Sequence, residues 1–599
     1  MQEALRSIIG KHSQIGTSAD PIIFEKPYYA LFHCRKELRE MATRASNVPE
    51  QTQHLGWLND FISNNLKALG KVQTGLVDKG LIDFKHLPLI FEAGSVVVGQ
   101  LLVHGEHIKT PAKAHKTKQP ECFLFHRLSE PVKDENTGMK YIDIEVLRWG
   151  YNGSMFGLTK EKTRIKEFAG SKKITDLDCF PLQYLGEEEK NSLIPRLVQR
   201  GKMWCQNVDA SNFQYQGIAM VPEESKRGWE TNLVPKALSG RIILDHHAFM
   251  RAFPALGNPL YSSGSSEGAE DDQDAALSNN APSPADLWTL SSKITIYRLG
   301  LWSFFDRQDF KPTDAQALLC PGTSLGYSLQ GKEWGYFDVD LLNNVEWAKD
   351  PLGKLEVPQI QKDMLLDLIT DHNTKSVGMD VAAGKGEGLI FLLCGPPGCG
   401  KTLTAEMMAE QQKRALIRVT SGDLGDHPGE VDQRLTALLE LALRASAVVL
   451  IDEADTFLAK RTRGGSIGDY FHNAIVAIFL KQLEYFPGII FLTTNQDDDI
   501  DPAVISRVIR LRYGRLNPSG RAKIWRHHLS RAEKVPSENE LDQLCARLGE
   551  AFELDGREIK TLSNLSLTIC RSRKREISEE VVRQLFDLTH GTSVIGSRA

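Results

Sequence analysis

Long apolar runs are missing from this sequence. The longest, Ala474 to Leu480, falls far short of the ~20 residues that cross a bilayer. Residues Met1 to Ser18 lack the apolar core of a signal peptide. Neither sign of charge dominates: the formal net charge is −5, with 25% charged and 41% apolar residues. That balance gives no footprint for nucleic acid, whose binders present a clearly basic surface, although it leaves room for a local basic patch. Cysteine is sparse and unpatterned: nine residues run from Cys34 to Cys570 without one C-x-x-C pair. No segment repeats at a fixed period. These absences argue against a membrane-spanning helix, a disulfide framework and a repeat array. The expectation is a soluble intracellular protein, in cytoplasm or nucleus, with reduced and mostly buried thiols.

What is present is length. A chain of 599 residues exceeds what one hydrophobic core usually holds, so two to four domains are expected. Residues 1–20 read as a flexible tail. Helical patterns over Tyr28 to Thr43 and Leu58 to Leu69 give way to strand-like runs such as Ser95–Val103, Tyr141–Leu147 and Arg241–Leu244, which predicts a mixed α+β domain over 21–257. Asn258 to Pro284 is rich in Ser, Gly, Ala, Asp and Pro and has no hydrophobic period. It cannot bury enough surface to offset its ordering entropy, so 258–290 reads as a disordered linker or insert. A connector over 291–344, with strand-like Lys293 to Leu301, leads into an α/β core over 345–516.

In that core, short apolar strands alternate with helical patterns: Leu389–Cys394, Leu416–Val419, Ala447–Ile451, Ile489–Leu492 and Val508–Leu511. Such alternation means βαβ units and a parallel sheet covered by helices. From 517 to 599 only helices are expected. One begins after Ser578 as N-cap, with Glu579 and Glu580 in its first turn and Val581, Leu585 and Leu588 on one stripe.

The chemistry concentrates in the α/β core. Gly395-Pro396-Pro397-Gly398-Cys399-Gly400-Lys401-Thr402, followed by Leu403, fits G-x-x-x-x-G-K-[ST] between a strand and a helix. Its glycines let the backbone curl so that successive N–H groups face phosphate oxygens, and the helix N-terminus adds a positive dipole end. Lys401 would reach the β- and γ-phosphates and Thr402 would place a hydroxyl on Mg²⁺. The strand Ala447–Ile451 then ends in Asp452-Glu453. Asp452 is suited to hold Mg²⁺, and Glu453 to polarise the attacking water as general base. Asn495, at the end of Gly488–Thr494, is suited to orient that water; an Asx turn accounts for it equally well. Arg507 offers a guanidinium for the developing charge of phosphoryl transfer, often delivered by a neighbouring subunit, whereas Arg510 three residues on reads as an ordinary salt-bridged arginine. Arg557, early in a helix of the tail, fits either a lid contact to the phosphates or an exposed helix position.

Together, in this order, these residues resemble the AAA+ ATPase superfamily. The stretches VEWAKDPLGKLEVP, GKGEGLIFLLCGPPGCGKTLTAE, IDEADTFLAKR, LEYFPGIIFLTTN and GREIK resemble a group of fungal AAA ATPases of largely unknown role. KGLIDFKHLPLIFEAGSVVV and SGRIILDHHAFMRAF resemble that group's uncharacterised N-terminal domain. The resemblance implies a P-loop parallel sheet with a C-terminal helical lid, behind a mixed α+β N-terminal domain that recognises a substrate or partner. It implies ATP and Mg²⁺ as cofactors, with ADP as product. Lys401 and Thr402 become phosphate and metal ligands, Asp452 a metal ligand and Glu453 the catalytic base. Asn495 becomes sensor 1, Arg507 the trans-acting finger and Arg557 the sensor 2 of its own subunit. Val345 to Trp347 would border the adenine. A homo-oligomeric ring, most often a hexamer, follows, with a protein as client. The stretch Ser421 to Glu430 departs from peptide-threading members: His427 stands where they carry an aromatic residue.

Other signals are weaker. Asp245-His246-His247 lacks a partner cluster, and neighbours on a strand alternate faces, so a zinc site is not expected; His527-His528 is similar. Arg571 to Arg575 reads as a solvated helix face or turn more readily than an import signal. Tyr470-Phe471 reads as core packing or a subunit contact. The leading function is an ATP-driven remodeller of a protein or protein complex. A nucleotide-gated scaffold with slow turnover and a nucleic-acid-dependent ATPase are the alternatives.

Overall fold

A computed structural model describes residues 28–44, 49–92, 94–99, 120–134, 138–224, 231–256, 305–306, 310–374, 388–460, 467–496, 500–531, 537–573 and 575–590. The tail at 1–20, the linker at 258–290 and the strand-like Lys293 to Leu301 lie outside the described residues. The chain divides into two compact units, Met1–Asn344 and Val345–Ala599.

The first unit opens with helices α1 (Tyr29–Arg44), α2 (Pro49–Asn65) and α3 (Lys67–Gly75). They bury Leu31, Phe32, Leu38, Ile62, Leu66 and Leu69 against Leu89. Among the strands, β1 (Leu81–Asp83) pairs with β7 (Ser171–Lys173). An antiparallel sheet joins β2 (Val96–Gly99), β3 (Glu121–Leu128), β4 (Val132–Lys133), β5 (Lys140–Tyr151), β6 (Met155–Lys166), β8 (Cys179–Pro181) and β11 (Phe305–Asp306). A second sheet is built on the long hairpin β9 (Ser211–Glu224) and β10 (Thr231–Leu244). It is completed by β12 (Thr323–Ser328), β13 (Glu333–Asp338) and β14 (Leu342–Asn344). Mixed α+β architecture is therefore found, but the expected connector over 291–344 is not one. Its last three strands pair with β9 and β10, because their alternating apolar residues, such as Leu325 and Phe337, are needed to fill that sheet's core. Helix α4 (Glu187–Gln206) packs on the short helix α6 (Asp314–Leu318), and Trp204 Nε1 donates to the Thr323 carbonyl at 3.0 Å.

Asp245, His246 and His247 do not lie on a strand. Asp245 caps helix α5 (His246–Ala252), its carboxylate accepting from Ala248 N at 2.9 Å. The buried His246 ring donates from Nδ1 to the Val208 carbonyl at 2.6 Å, with Trp204 and Tyr151 edge-on. Burial pushes its pKa down to about 4, against the smaller raising effects of that carbonyl and Asp209. The folded chain therefore keeps His246 neutral while the unfolded chain protonates it near pH 6.5. Its contribution is complete above that pH and is lost as pH falls from about 6.5 towards 4. Urea midpoints of the full chain, followed by tryptophan fluorescence, are expected to show the first unit losing roughly 3 kcal/mol over that window, and His246→Gln is expected to flatten the loss.

The second unit carries a five-stranded, all-parallel sheet in the order β16-β17-β18-β15-β19. Its strands are β15 (Leu389–Cys394), β16 (Leu416–Thr420), β17 (Val448–Asp452), β18 (Ile489–Thr494) and β19 (Ile509–Arg512), the last one residue later than expected. β17 and β18 are buried throughout, as continuous apolar strands in a sheet covered on both faces must be. Helices α7 (Gln359–Thr374), α8 (Lys401–Gln411), α9 (Pro428–Arg444) and α10 (Ile467–Tyr485) alternate with these strands. Behind them, α11 (Pro518–Leu529), α12 (Glu538–Ala551), α13 (Gly556–Arg573) and α14 (Glu579–His590) form the helical lid around Trp525, Leu548, Ile559 and Val582. The buried stripe of α14 runs through Val582 and Leu585; Leu588, expected on it, is 79% exposed.

All nine cysteines are buried free thiols. Among the described residues, no helix is long and apolar enough to cross a membrane.

Candidate nucleotide site

From β15 the chain runs towards β16 at one edge, while from β18, the strand beside it, it runs towards β19 at the other. A strand order that reverses in this way opens a crevice at the carboxyl ends of the strands. The loop Gly395–Gly400 leaves β15 at that point, with positive φ at Gly395, Gly398 and Gly400, and Gly400 forms the N-cap of α8. Lys401 is buried here. Its ammonium donates to the carbonyls of Gly395 and Pro396, both at 2.7 Å, and to Asn495 Oδ1 at 2.8 Å. Thr402 donates to Asp452 Oδ1 at 3.0 Å. Lys401 and Thr402, Asp452, and Asn495, from three separate stretches of chain, thus meet at one rim.

Asp452 is nearly buried. Burial alone would raise its pKa, but hydroxyl donors from Thr493 (2.6 Å) and Thr402 and the guanidinium of Arg418 (2.6 Å) hold it below the usual carboxylate range. Glu453 is exposed and its backbone sits at φ 54°, a left-handed conformation uncommon for glutamate. Its N–H donates to Thr493 Oγ1 at 3.0 Å, so one threonine braces both acids. Backbone strain of about 1–3 kcal/mol persists only where the surroundings over-determine it, and it clusters at functional positions. Thr493 is the site residue that sequence reasoning passed over; its signal is a polar side chain near the end of an apolar strand, two positions before Asn495.

The lid stands on the same loop. Gly556 N donates to the Gly398 carbonyl at 3.0 Å, and Asp555 caps α13 by accepting from Arg557 N and Glu558 N at 2.8 and 2.9 Å. A Cβ on Gly398, whose φ is +71°, would lie 2.3 Å from the Asp555 carboxyl carbon, so only glycine lets the lid helix start this close. Arg557, exposed in the first turn of α13, is therefore one residue from the loop contact. Ala348 N donates to Glu410 on α8 at 3.3 Å, which ties the segment after Val345 to the helix that begins at Lys401.

The described contacts of Arg507 lie elsewhere. It donates to the Ala503 carbonyl at 2.7 Å and pairs with Glu484 at 3.5 Å, an exposed arrangement. Pro397 and Leu403 are exposed, while Cys399 is buried, its thiol raised by burial against the opposing charge of Lys401. His427 caps α9 and meets Phe471 edge-on at 5.3 Å between centroids. Tyr470 is 70% exposed, so that pair is not core packing, as one sequence reading had it. Arg571, Arg573 and Arg575 are exposed at the end of α13 and just beyond.

Among the described residues, no group of three or more His, Cys, Asp or Glu could hold a metal alone. The oxygen donors at this rim, Thr402 Oγ1 and the Asp452 carboxylate, instead suit a hard cation that takes few protein ligands and completes its shell with water and phosphate, as Mg²⁺ does.

The family model described as "ATPase family associated with various cellular activities (AAA)" matches residues 391–515. The proteasome-activating nucleotidase of Sulfurisphaera tokodaii is 30% identical over 275 residues, 43% of this chain and 67% of that protein. The chain belongs to the AAA ATPase family. Other relatives of this AAA chain include the ATP-dependent zinc metalloprotease FtsH 2 of Conexibacter woesei, 30% identical over 36% of the chain and 32% of that protein. The 26S proteasome regulatory subunit 6B homolog of Dictyostelium discoideum is 29% identical over 36% and 53%. The AAA chain thus spans two thirds of the first relative and about a third to a half of the other two. A solved structure, the FIGL-1 AAA domain in complex with ADP, is 21% identical at a TM-score of 0.29, covering 37% of this chain and 74% of that one. Upstream, residues 73–186 match a "Domain of unknown function (DUF7025)".

Proposed function

We propose that this AAA chain hydrolyses ATP with Mg²⁺, assembles as a ring of identical copies, and uses turnover to remodel a protein or protein complex engaged by its first unit. The observation that carries the reading is the meeting of Lys401, Thr402, Asp452 and Asn495 at one rim of a parallel sheet. In this reading, Lys401 leaves the Gly395 and Pro396 carbonyls to bind the β- and γ-phosphate oxygens of ATP, and Thr402 and Asp452 hold the metal. Bound there, Mg²⁺ neutralises charge on the phosphates. Glu453 takes the proton of the attacking water, which Asn495 orients. Arg507 acts on the neighbouring copy's nucleotide, which agrees with its lack of described contacts to the rim of its own chain. Arg557 reports the nucleotide to the lid through the contact between Gly556 and Gly398. Relatives whose names refer to the proteasome support a protein client.

Phosphate release by the full chain, measured with Mg²⁺ and with EDTA over a range of protein concentrations, tests this reading. Release is expected to require Mg²⁺, and its rate per chain is expected to rise with concentration as rings assemble. Release no faster than in protein-free buffer would remove the reading.

A further inference from the structure

Strand β16 is Leu416-Ile417-Arg418-Val419-Thr420, and Arg418 is its one exposed member. In the parallel register Thr420 faces Asp452 and Arg418 faces Leu450. The arginine therefore lies two positions short of the acid and reaches along the sheet to it. Its Nη2 lies 2.6 Å from Asp452 Oδ2, while Nη1 lies 3.9 Å from Glu406 Oε1 on α8. Oδ1 of the same carboxylate accepts from both Thr402 and Thr493. Both oxygens of Asp452 are thus engaged, one by hydroxyls and the other by a cation.

A nearly buried carboxylate without a counter-charge is costly, and here the counter-charge is built into the chain. A divalent cation drawing on Asp452 meets the guanidinium on Oδ2, and two cations on one carboxylate repel each other. Glu406, one turn along α8 from Thr402, offers the guanidinium a second carboxylate. Burial raises the Glu406 pKa, and Arg418 opposes that rise.

We infer that Arg418 is the resident counter-ion of the metal site. It covers Asp452 when the metal is absent, so that phosphates can enter without facing a bare carboxylate, and it shifts towards Glu406 when Mg²⁺ binds. Arg418 thereby sets how strongly nucleotide binding depends on Mg²⁺. It is a positioning residue, and the inference rests on the nucleotide-site reading above. Binding of metal and nucleotide are reciprocally coupled, so the effect is read as a ratio.

The test uses the full chain and ADP, with Kd measured by calorimetry in Mg²⁺ and in EDTA. Arg418→Gln is expected to raise the ratio Kd(EDTA)/Kd(Mg²⁺) by about tenfold or more, chiefly through weaker binding in EDTA. Arg418→Lys keeps the charge and is expected to stay within about threefold of the unsubstituted chain. Because each ratio is taken within one variant, a general loosening of the fold cancels. An unchanged or smaller ratio for Arg418→Gln, or Arg418→Lys behaving as Arg418→Gln does, would overturn the inference. Failure of the underlying reading looks different: the unsubstituted chain would bind no ADP in either buffer, or Lys401→Ala would bind it as well as the unsubstituted chain does.

Discussion

Replacing Lys401 with alanine is expected to lower ATP turnover by at least about a hundredfold and to weaken ATP binding by about tenfold or more. The ammonium is buried and held by two carbonyls and Asn495 Oδ1 within 2.8 Å, so it sits in place before any phosphate arrives. Alanine removes the only described cation bonded to the loop's own carbonyls. Charge that develops on the phosphates during transfer then has no preorganised partner, and that loss exceeds the loss in ground-state binding. Lys401→Arg is expected to fail as well, because a planar fork does not fit where a compact ammonium donates in three directions. Steady-state phosphate release and ATP titration of the two variants check both statements; turnover within threefold of the unsubstituted chain would refute them.

The second large effect concerns stability. Gly201 lies inside helix α4, where Gly→Ala ordinarily stabilises by about 0.5–1 kcal/mol. Here the sign is expected to reverse. A Cβ at Gly201 would lie 1.9 Å from the Ala317 carbonyl oxygen and 2.6 and 2.8 Å from Ala317 C and Cα. These are backbone atoms that cannot rotate aside, so α4 must move off α6. That movement disturbs the Trp204 bond to Thr323 and the buried Arg200, whose guanidinium lies 3.9 Å from Glu121 and 3.7 Å from Asp340. Gly201→Ala is expected to destabilise the first unit by about 2–4 kcal/mol. Gly56→Ala in α2, where an added Cβ meets nothing within 4 Å, is expected to stabilise slightly. Urea midpoints of the two variants separate the cases; equal midpoints would refute the close-packing account.

Local chemistry was legible in the sequence where it is tied to spacing. The glycines, Lys401 and Thr402 occupy neighbouring positions around one turn, and the acids at 452 and 453 end an apolar strand, so each could be read within a window of a few residues. The core strands β15, β17 and β18 were legible for the same reason: strands buried on both faces of a parallel sheet are apolar almost without interruption. Long-range pairing was not. β12, β13 and β14 are short, and their partners β9 and β10 lie far upstream, so nothing local assigns them to the first unit. Arg418 was hidden because a lone arginine in an apolar strand carries no spacing signal. Only the register that sets Thr420 beside Asp452 brings it to the acid. His246 shows the opposite error, where a strand was assumed and the capping carboxylate of Asp245 starts a helix.

The central claim is that Lys401, Thr402, Asp452 and Glu453 serve one nucleotide and one metal. An experimental structure of the full chain bearing Glu453→Gln, prepared with ATP and Mg²⁺, tests it most directly. The account expects the Lys401 ammonium to have left the Pro396 carbonyl for a phosphate oxygen, with the metal held between that nucleotide, Thr402 and Asp452. Nucleotide bound elsewhere, or bound here with Lys401 still on the Pro396 carbonyl, would contradict it.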